Sequence, residues 1–290
     1  MNQIRKITHP IVNGIVCCGL LTLALVAGCI SPGPVQGAVV PAVAPSPGEV
    51  AGTVVAFTAA SLKGATPRLA ADFAGMYPGR RVAFNIDGTQ ALKTQVENGA
   101  HADIFISASS SYTNTLNREG FFRNGTVKPL IANYVIVILP ASNPGKIASL
   151  EDLSRPGLRI AMGDKTVPAG AAARAVLANV ATSVHTPEWK TSVLRNVVTY
   201  EMSEPGIATK VALGEADAGF VYESTYTAAP AGTFVALTIP EQDNYLQTYT
   251  IGVLEQSANK GAAADFETFM LSDIGQKDLR DYGFRPAPPA

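Results

Sequence analysis

Four short segments of the sequence share a design that suits the binding of an anion. In each of them a strand-like run ends, small or hydroxyl-bearing residues follow, and a helical pattern begins. Because a helix N-terminus presents unpaired backbone N–H groups and the positive end of the helix dipole, it attracts negative charge. The four segments are Thr58–Ser61, Asp87–Gln90, Val167–Gly170 and Ser203–Gly206.

A hydroxyl at a helix start also caps helices that bind nothing, so Ser61 by itself has two interpretations. Pro168 and Pro205 lie near first-turn positions, where a helix tolerates a residue without an N–H. Tyr222 closes a further strand-like run, and its hydroxyl either donates to a ligand or lies solvated at the edge of the core. The repetition of one design at four places favours a ligand over simple capping.

A catalytic constellation is hard to assemble from these residues. The sequence contains no Gly-x-Ser-x-Gly elbow, no P-loop and no Gly-x-Gly-x-x-Gly after a strand. His101 and His185 have no second histidine or carboxylate at metal-ligand spacing, so we expect both to be surface or loop residues. An exported hydrolase or transferase with Ser61 as nucleophile is the competing hypothesis, but no motif places a histidine beside Ser61.

The elements that must position these residues alternate between β-branched runs and helical patterns. In a first group the strand-like runs begin at residues 53, 81 and 103, and in a second group at residues 158, 197 and 218. This alternation predicts an α/β fold with parallel sheets and helices on their faces. Ligands bind at the carboxyl edges of such sheets, which is where the four segments would lie. Two closing helices are predicted over 261–271 and 273–282.

Composition and charge exclude several classes of protein. The 290 residues are 47% hydrophobic and only 16% charged, so the chain is not intrinsically disordered. Lysine and arginine number 22 against 23 aspartate and glutamate, a balance that argues against a nucleic-acid partner. The length suits one large domain or two modest ones.

The first residues predict export. Arg5 and Lys6 precede an apolar run over 15–27, which is too short for a comfortable membrane span. The run ends in Val-Ala-Gly-Cys, a pattern that resembles the lipoprotein cleavage site, with Cys29 as the lipid carrier; an uncleaved signal anchor is the alternative. We therefore predict a signal peptide over 1–28, a Pro- and Gly-rich tether over 29–52, and localisation outside the cytoplasmic membrane as a lipoprotein.

An ordered series of short motifs carries a resemblance to a known family. The motifs are Ala59–Leu62, Ala102–Ala108, Gly163–Asp164 with Val167–Gly170, Gly219–Tyr222 and Tyr282–Phe284. In this order and spacing, residues 53–285 are similar to the periplasmic molybdate-binding proteins of ABC importers. The resemblance implies a two-lobed type II periplasmic-binding protein, each lobe a mainly parallel sheet flanked by helices. Lobe 1 would comprise 53–132 and 257–290, and lobe 2 would comprise 133–256.

The resemblance also implies a set of site residues for a tetrahedral oxyanion. Hydroxyl donors fall on Ser61, Thr89 and Tyr222, and a backbone donor falls on Ala169. A further backbone donor aligns near Glu204, where a carboxylate departs from the family pattern. Because a carboxylate aimed at a dianion would repel it, we expect the Glu204 side chain to face solvent; the alternative is that it borders the anion.

Some archaeal relatives add two carboxylates that contact the metal directly. Val167 and Val221 occupy those positions here, so the resemblance implies molybdenum bound only as the oxyanion, with no direct protein ligand.

The resemblance further implies a receptor for molybdate or tungstate that is not an enzyme and has no cofactor. Its partners would be the permease subunits of an ABC importer and, through a lipid on Cys29, the membrane; the protein would be a monomer. Sulfate or another tetrahedral oxyanion is the alternative ligand.

Overall fold

The computed structural model describes residues 52–183 and 185–288. Cys29, the predicted signal peptide and all of the predicted tether except Gly52 lie outside the described residues. Among those that are described, no helix combines the length and apolar character that a membrane crossing requires.

The first half of the fold is the predicted alternation of parallel strands and helices. Strand β1 pairs in parallel with β2 on one side and with β3 on the other, so the carboxyl ends of all three point to one edge. The elements are β1 (Thr53–Ala59), α1 (Thr66–Met76), β2 (Arg81–Asp87), α2 (Thr89–Glu97), β3 (Ile104–Ser107) and α3 (Ser110–Arg118).

A long strand, β4 (Lys128–Pro140), leads from the first half into the second. Its residues from Lys128 to Tyr134 pair antiparallel with β9 (Leu246–Val253), which also pairs with β3. From Val135 onward it pairs with β7 (Ala218–Tyr222) and then with β8 (Phe234–Leu237). One strand therefore belongs to the sheets of both halves.

The second half repeats the parallel arrangement. Strand β5 pairs in parallel with β6 and with β7. The remaining elements of this half are β5 (Ile160–Gly163), α4 (Pro168–Ser183), α5 (Pro187–Arg195), β6 (Val197–Glu201), α6 (Glu204–Ala212) and α7 (Glu223–Ala228).

The chain then returns to the first half. Helices α8 (Lys260–Leu271) and α9 (Asp273–Asp281) contact α1, and β10 (Arg285–Pro286) pairs with β4. Phe73 of α1 packs edge-on against Phe266 of α8, with ring centroids 5.0 Å apart. Burial of each such side chain contributes roughly 1.5–3 kcal/mol, so this cluster fastens the closing helices to the first half.

The strands form one continuous sheet in the order β2-β1-β3-β9-β4-β7-β5-β6, with β8 and β10 pairing beside β4. The predicted lobe boundary placed residues 246–256 in lobe 2, whereas β9 pairs with β3 and with the first part of β4. The return to the first half therefore precedes Leu246. This difference arises because strand pairing is a long-range contact, which the apolar pattern of β9 does not encode.

Five elements lie where no element was predicted: α3, α5, α7, β8 and β10. Helix α3, with the sequence SSYTNTLNR, buries only Thr113 and Leu116. Strand β8 has four residues, none of which is fully buried. Apolar residues recur at helix or strand spacing only where an element buries a broad face. These elements bury too few residues for such spacing to appear in the sequence.

Candidate functional site

The ends of β1, β2, β5 and β6 open onto one cavity between the two halves. Its empty volume, with open solvent included, is about 230 Å³. All five predicted site residues line it. The lining comprises Ala59, Ala60, Ser61, Gly88, Thr89, Ala108, Val167, Pro168, Ala169, Glu204 and Tyr222.

Ser61 lies in a single 3-10 turn, Ala60–Leu62, that directly follows β1. The turn brings its hydroxyl to the carboxyl edge of the sheet, and the residue is almost fully buried. Its Oγ lies 2.8 Å from the hydroxyl oxygen of Tyr249. Ser61 is therefore held by a partner in β9 as well as by its own turn.

Thr89 is the first residue of α2 and is buried. Its Oγ1 accepts a hydrogen bond of 3.1 Å from the backbone N–H of Ala108, which follows β3. Since that bond uses the hydroxyl as an acceptor, its own proton remains available for a group in the cavity. Gly88 before it is needed for close approach, because a Cβ there would lie 2.8 Å from the carbonyl oxygen of Met202.

Ala169 lies in the first turn of α4, after Pro168. N–H groups in the first turn have no partner within the helix, and they carry the positive end of its dipole. Gly170 lets this turn approach the preceding loop, because a Cβ there would lie 2.1 Å from the carbonyl oxygen of Asp164. The sequence Val-Pro-Ala-Gly thus places a backbone donor in the wall of the cavity.

Tyr222 ends β7 and is buried. Its hydroxyl lies 3.5 Å from Oε1 of Gln247, which is a long and weak hydrogen bond. Burial raises the pKa of Tyr222 well above its ordinary value, so the phenol keeps its proton and remains a donor.

The expectation that Glu204 faces solvent is wrong. The residue is 3% exposed at the start of α6. One carboxylate oxygen accepts the backbone N–H of Tyr222 at 2.9 Å, and the other accepts the hydroxyl of Thr225 at 2.7 Å. The side chain turns inward because β7 and α7 supply two hydrogen-bond donors, which take the place of the water molecules that an exposed carboxylate would bind. Burial raises the pKa of Glu204 to about 7.

The donors around the cavity are neutral. Among the described residues, those that line it include no lysine, arginine or histidine. Within the same part of the chain, no group of three or more histidine, cysteine, aspartate or glutamate side chains is arranged to hold a metal ion. The site can therefore hold an anion through hydroxyl and backbone N–H groups, with Glu204 as its one carboxylate.

Two hydrogen bonds link the halves beside the cavity. Nε2 of Gln90 in α2 donates to the carbonyl oxygen of Met202 at 2.6 Å. The Tyr112 hydroxyl in α3 donates to the carbonyl oxygen of Thr166 at 2.6 Å. These contacts hold the walls of the cavity together from either side.

The two histidines lie away from this lining. His101 precedes β3 in a loop, with its side chain 39% exposed and Nε2 4.0 Å from Oδ1 of Asp103. His185 is partly buried and stacks on Trp189, with ring centroids 4.6 Å apart. Neither side chain is placed to activate Ser61.

Sequence reasoning missed three contributors to the site: Tyr249, Ala108 and Gln247. Tyr249 lies within an apolar strand run, where its ring serves the core and nothing marks its hydroxyl as functional. Ser61 and Tyr249 are 188 positions apart in the chain, so only the folded sheet brings them together.

The two halves joined through β4, with the cavity between them, define a type II periplasmic-binding fold, as predicted. The periplasmic molybdate-binding protein of Azotobacter vinelandii shares this fold, with a TM-score of 0.70 and 22% sequence identity over 82% of this chain and 100% of that one. The chain belongs to the family of bacterial extracellular solute-binding proteins, whose model matches residues 54–285.

Curated relatives are similar over most of their length. The molybdate-binding protein ModA of Mycobacterium tuberculosis is 32% identical over 92% of this chain and 96% of its own. The protein of the same name from Haemophilus influenzae is 26% identical over 80% of this chain and 89% of its own. Because solute-binding proteins bind their ligands without transforming them, the chain is not an enzyme, and the hypothesis of a Ser61 nucleophile is wrong.

Proposed function

We propose that this protein captures molybdate in the cavity between its halves and delivers it to an ABC importer. The observation that carries the proposal is the meeting of Ser61, Thr89, Ala169, Glu204 and Tyr222 around one small cavity. The names of the mycobacterial and Haemophilus relatives support the choice of molybdate.

The chemistry of the lining suits a fully ionised tetrahedral oxyanion. Molybdate offers only acceptors, so hydroxyl and backbone N–H donors can satisfy it without a cation. The donors are the hydroxyls of Ser61, Thr89 and Tyr222 and the backbone N–H groups of Ala169 and Glu204. Each charge-assisted hydrogen bond to a buried anion contributes about 1.5–3 kcal/mol, so five of them support tight binding after the cost of association.

Titration calorimetry with four oxyanions tests the choice of ligand. We expect molybdate and tungstate to bind, sulfate to bind at least about tenfold more weakly, a difference of about 1.4 kcal/mol, and phosphate to bind least. Molybdate and sulfate present the same charge and oxygen geometry, so the discrimination comes from the size of the cavity. Sulfate binding more tightly than molybdate would make the protein a sulfate receptor instead.

The link between Tyr112 and Thr166 predicts an effect on ligand release. Tyr112→Phe removes one hydrogen bond between the halves, and such a bond contributes about 0.5–1.5 kcal/mol. We expect molybdate binding to weaken by about 2- to 13-fold, mainly through faster dissociation measured by stopped flow. Thr115→Ala is the matched control, because the Thr115 hydroxyl donates to the carbonyl oxygen of Ser111 within the same helix. An unchanged dissociation rate for Tyr112→Phe would show that this contact does not hold the halves together.

We also propose that the protein is located outside the cytoplasmic membrane as a lipoprotein. The folded body would be attached to the outer face of the cytoplasmic membrane by a lipid on Cys29 and the tether 29–52, and would act as a monomer that docks on the permease subunits. Cys29→Ser should shift the protein from the membrane fraction to the soluble exported fraction. Molybdate affinity should not change, since Cys29 precedes the first cavity residue, Ala59, by 30 positions in the chain. A Cys29→Ser protein that stays in the membrane fraction would contradict lipid attachment at this residue.

A further inference from the structure

Behind the cavity, Ser61 contacts a second buried hydroxyl that belongs to the core. Tyr249 of β9 is 0% exposed, and its ring packs edge-on against Tyr222 and Phe284. Its hydroxyl oxygen lies 2.8 Å from Oγ of Ser61. Tyr249 does not itself line the cavity, and its hydroxyl contacts the lining at Ser61.

The direction of this hydrogen bond follows from the burial of Tyr249. Burial raises the pKa of Tyr249 far above its ordinary value, so the phenol carries its proton. Among the described residues, Ser61 is the hydrogen-bond partner of that phenol, and a buried donor left without an acceptor costs about 1–3 kcal/mol. Tyr249 therefore donates to Ser61 Oγ, whereas the Ser61 hydroxyl borders the cavity and can donate there.

We propose that Tyr249 is a positioning residue for anion binding, because it donates to Ser61 Oγ and thereby directs the single Ser61 proton into the cavity. The opposite arrangement, with Ser61 donating to Tyr249, would present only lone pairs to the ligand and would oppose a dianion. The inference rests on the proposed function, since it assigns a role in the same site.

The second hydroxyl of the cavity follows the same rule. Thr89 Oγ1 accepts from the backbone N–H of Ala108, which leaves its proton free to face the cavity. The Tyr249 hydroxyl donates to the oxygen of Ser61, just as this backbone N–H donates to the oxygen of Thr89. Both hydroxyls are thus oriented as donors before a ligand arrives, and preorganised donors lose less free energy on binding.

A double-mutant cycle tests the role of Tyr249. Tyr249→Phe keeps the ring in its packing and removes only the hydroxyl. We expect it to weaken molybdate binding by about 3- to 30-fold in the otherwise wild-type protein. In a Ser61→Ala background the same change should alter affinity by less than about twofold, because the hydroxyl it orients is gone. In a Thr89→Ala background, the matched control, it should retain its full effect.

The outcomes separate this inference from the proposed function. Equal losses from Tyr249→Phe in all three backgrounds, or no loss in the wild-type background, would overturn the positioning role. If Ser61→Ala itself leaves molybdate affinity unchanged, the proposed site is wrong, whatever Tyr249→Phe does. Thermal unfolding followed by circular dichroism identifies any variant that has lost its fold, and Tyr249→Leu, a smaller side chain that also lacks the hydroxyl, provides a second replacement if Tyr249→Phe does not fold.

Discussion

Removing both cavity hydroxyls, in a Ser61→Ala/Thr89→Ala variant, should weaken molybdate binding by about 30- to 20,000-fold. Each hydroxyl is a buried donor, and the loss of one charge-assisted hydrogen bond costs about 1–3 kcal/mol, or about 5- to 150-fold. The two residues stand on separate elements, the turn after β1 and the first turn of α2, but both would bind the same anion. The range given is the sum of the two single losses, and the double variant measures the coupling between them. Titration calorimetry of the two single variants and the double variant measures each step.

The controls for this experiment are His101→Ala and His185→Ala. Both histidines lie outside the cavity lining, so neither replacement should change molybdate affinity. Wild-type affinity in Ser61→Ala and Thr89→Ala, together with lost binding in His101→Ala, would contradict the oxyanion hypothesis. Ser61 and Thr89 would then be structural residues only, bonded to the Tyr249 hydroxyl and to the backbone N–H of Ala108.

Molybdate binding should weaken as the pH rises through about 7, because Glu204 lines the cavity. The pKa of its carboxyl is raised to about 7, so the group is largely neutral below that pH and ionised above it. A bound dianion opposes ionisation of Glu204, so above pH 7 binding must also take up a proton. The dissociation constant should then rise by up to about tenfold per pH unit above the pKa, or up to about 50-fold between pH 7 and pH 9.

Glu204→Gln isolates this effect. The amide keeps an oxygen that can accept the Tyr222 N–H and has nearly the same volume, but it cannot ionise. The variant should bind molybdate with an affinity that changes little between pH 6 and pH 9, and more tightly than the wild type at pH 9. A wild-type dissociation constant that does not depend on pH over this range would show that Glu204 does not interact with the anion.

The same carboxyl should also make the ligand-free fold less stable at higher pH. Its pKa rises from 4.5 in the unfolded chain to about 7 in the folded protein, so the folded state binds more protons between these values. The contribution of Glu204 to stability is therefore fully present below pH 4.5 and is lost as the pH rises through 7, by about 3 kcal/mol. Denaturant unfolding at pH 5 and pH 8 should show this difference in the wild type and a smaller one in Glu204→Gln.

Local patterns in the sequence were sufficient to predict the parallel βαβαβ units and the helix starts that surround the cavity. The spacing of apolar residues indicates which face of each strand or helix is buried. Residues such as Pro168 and Gly170 indicate where a helix begins. Ser61, Thr89, Ala169 and Tyr222 follow from those patterns together with the family resemblance. Each is positioned mainly by its own strand end or helix start, which is information carried by neighbouring residues.

The orientation of the Glu204 carboxylate, the partner of Ser61 and the place of β9 were decided only by the tertiary structure. Glu204 turns inward because Tyr222 and Thr225, 18 and 21 positions away, supply two donors. Tyr249 reaches Ser61 because β9 runs antiparallel between β3 and β4. These contacts join parts of the chain that are distant in sequence, and their free energy depends on burial and on partners that exist only in the assembled fold.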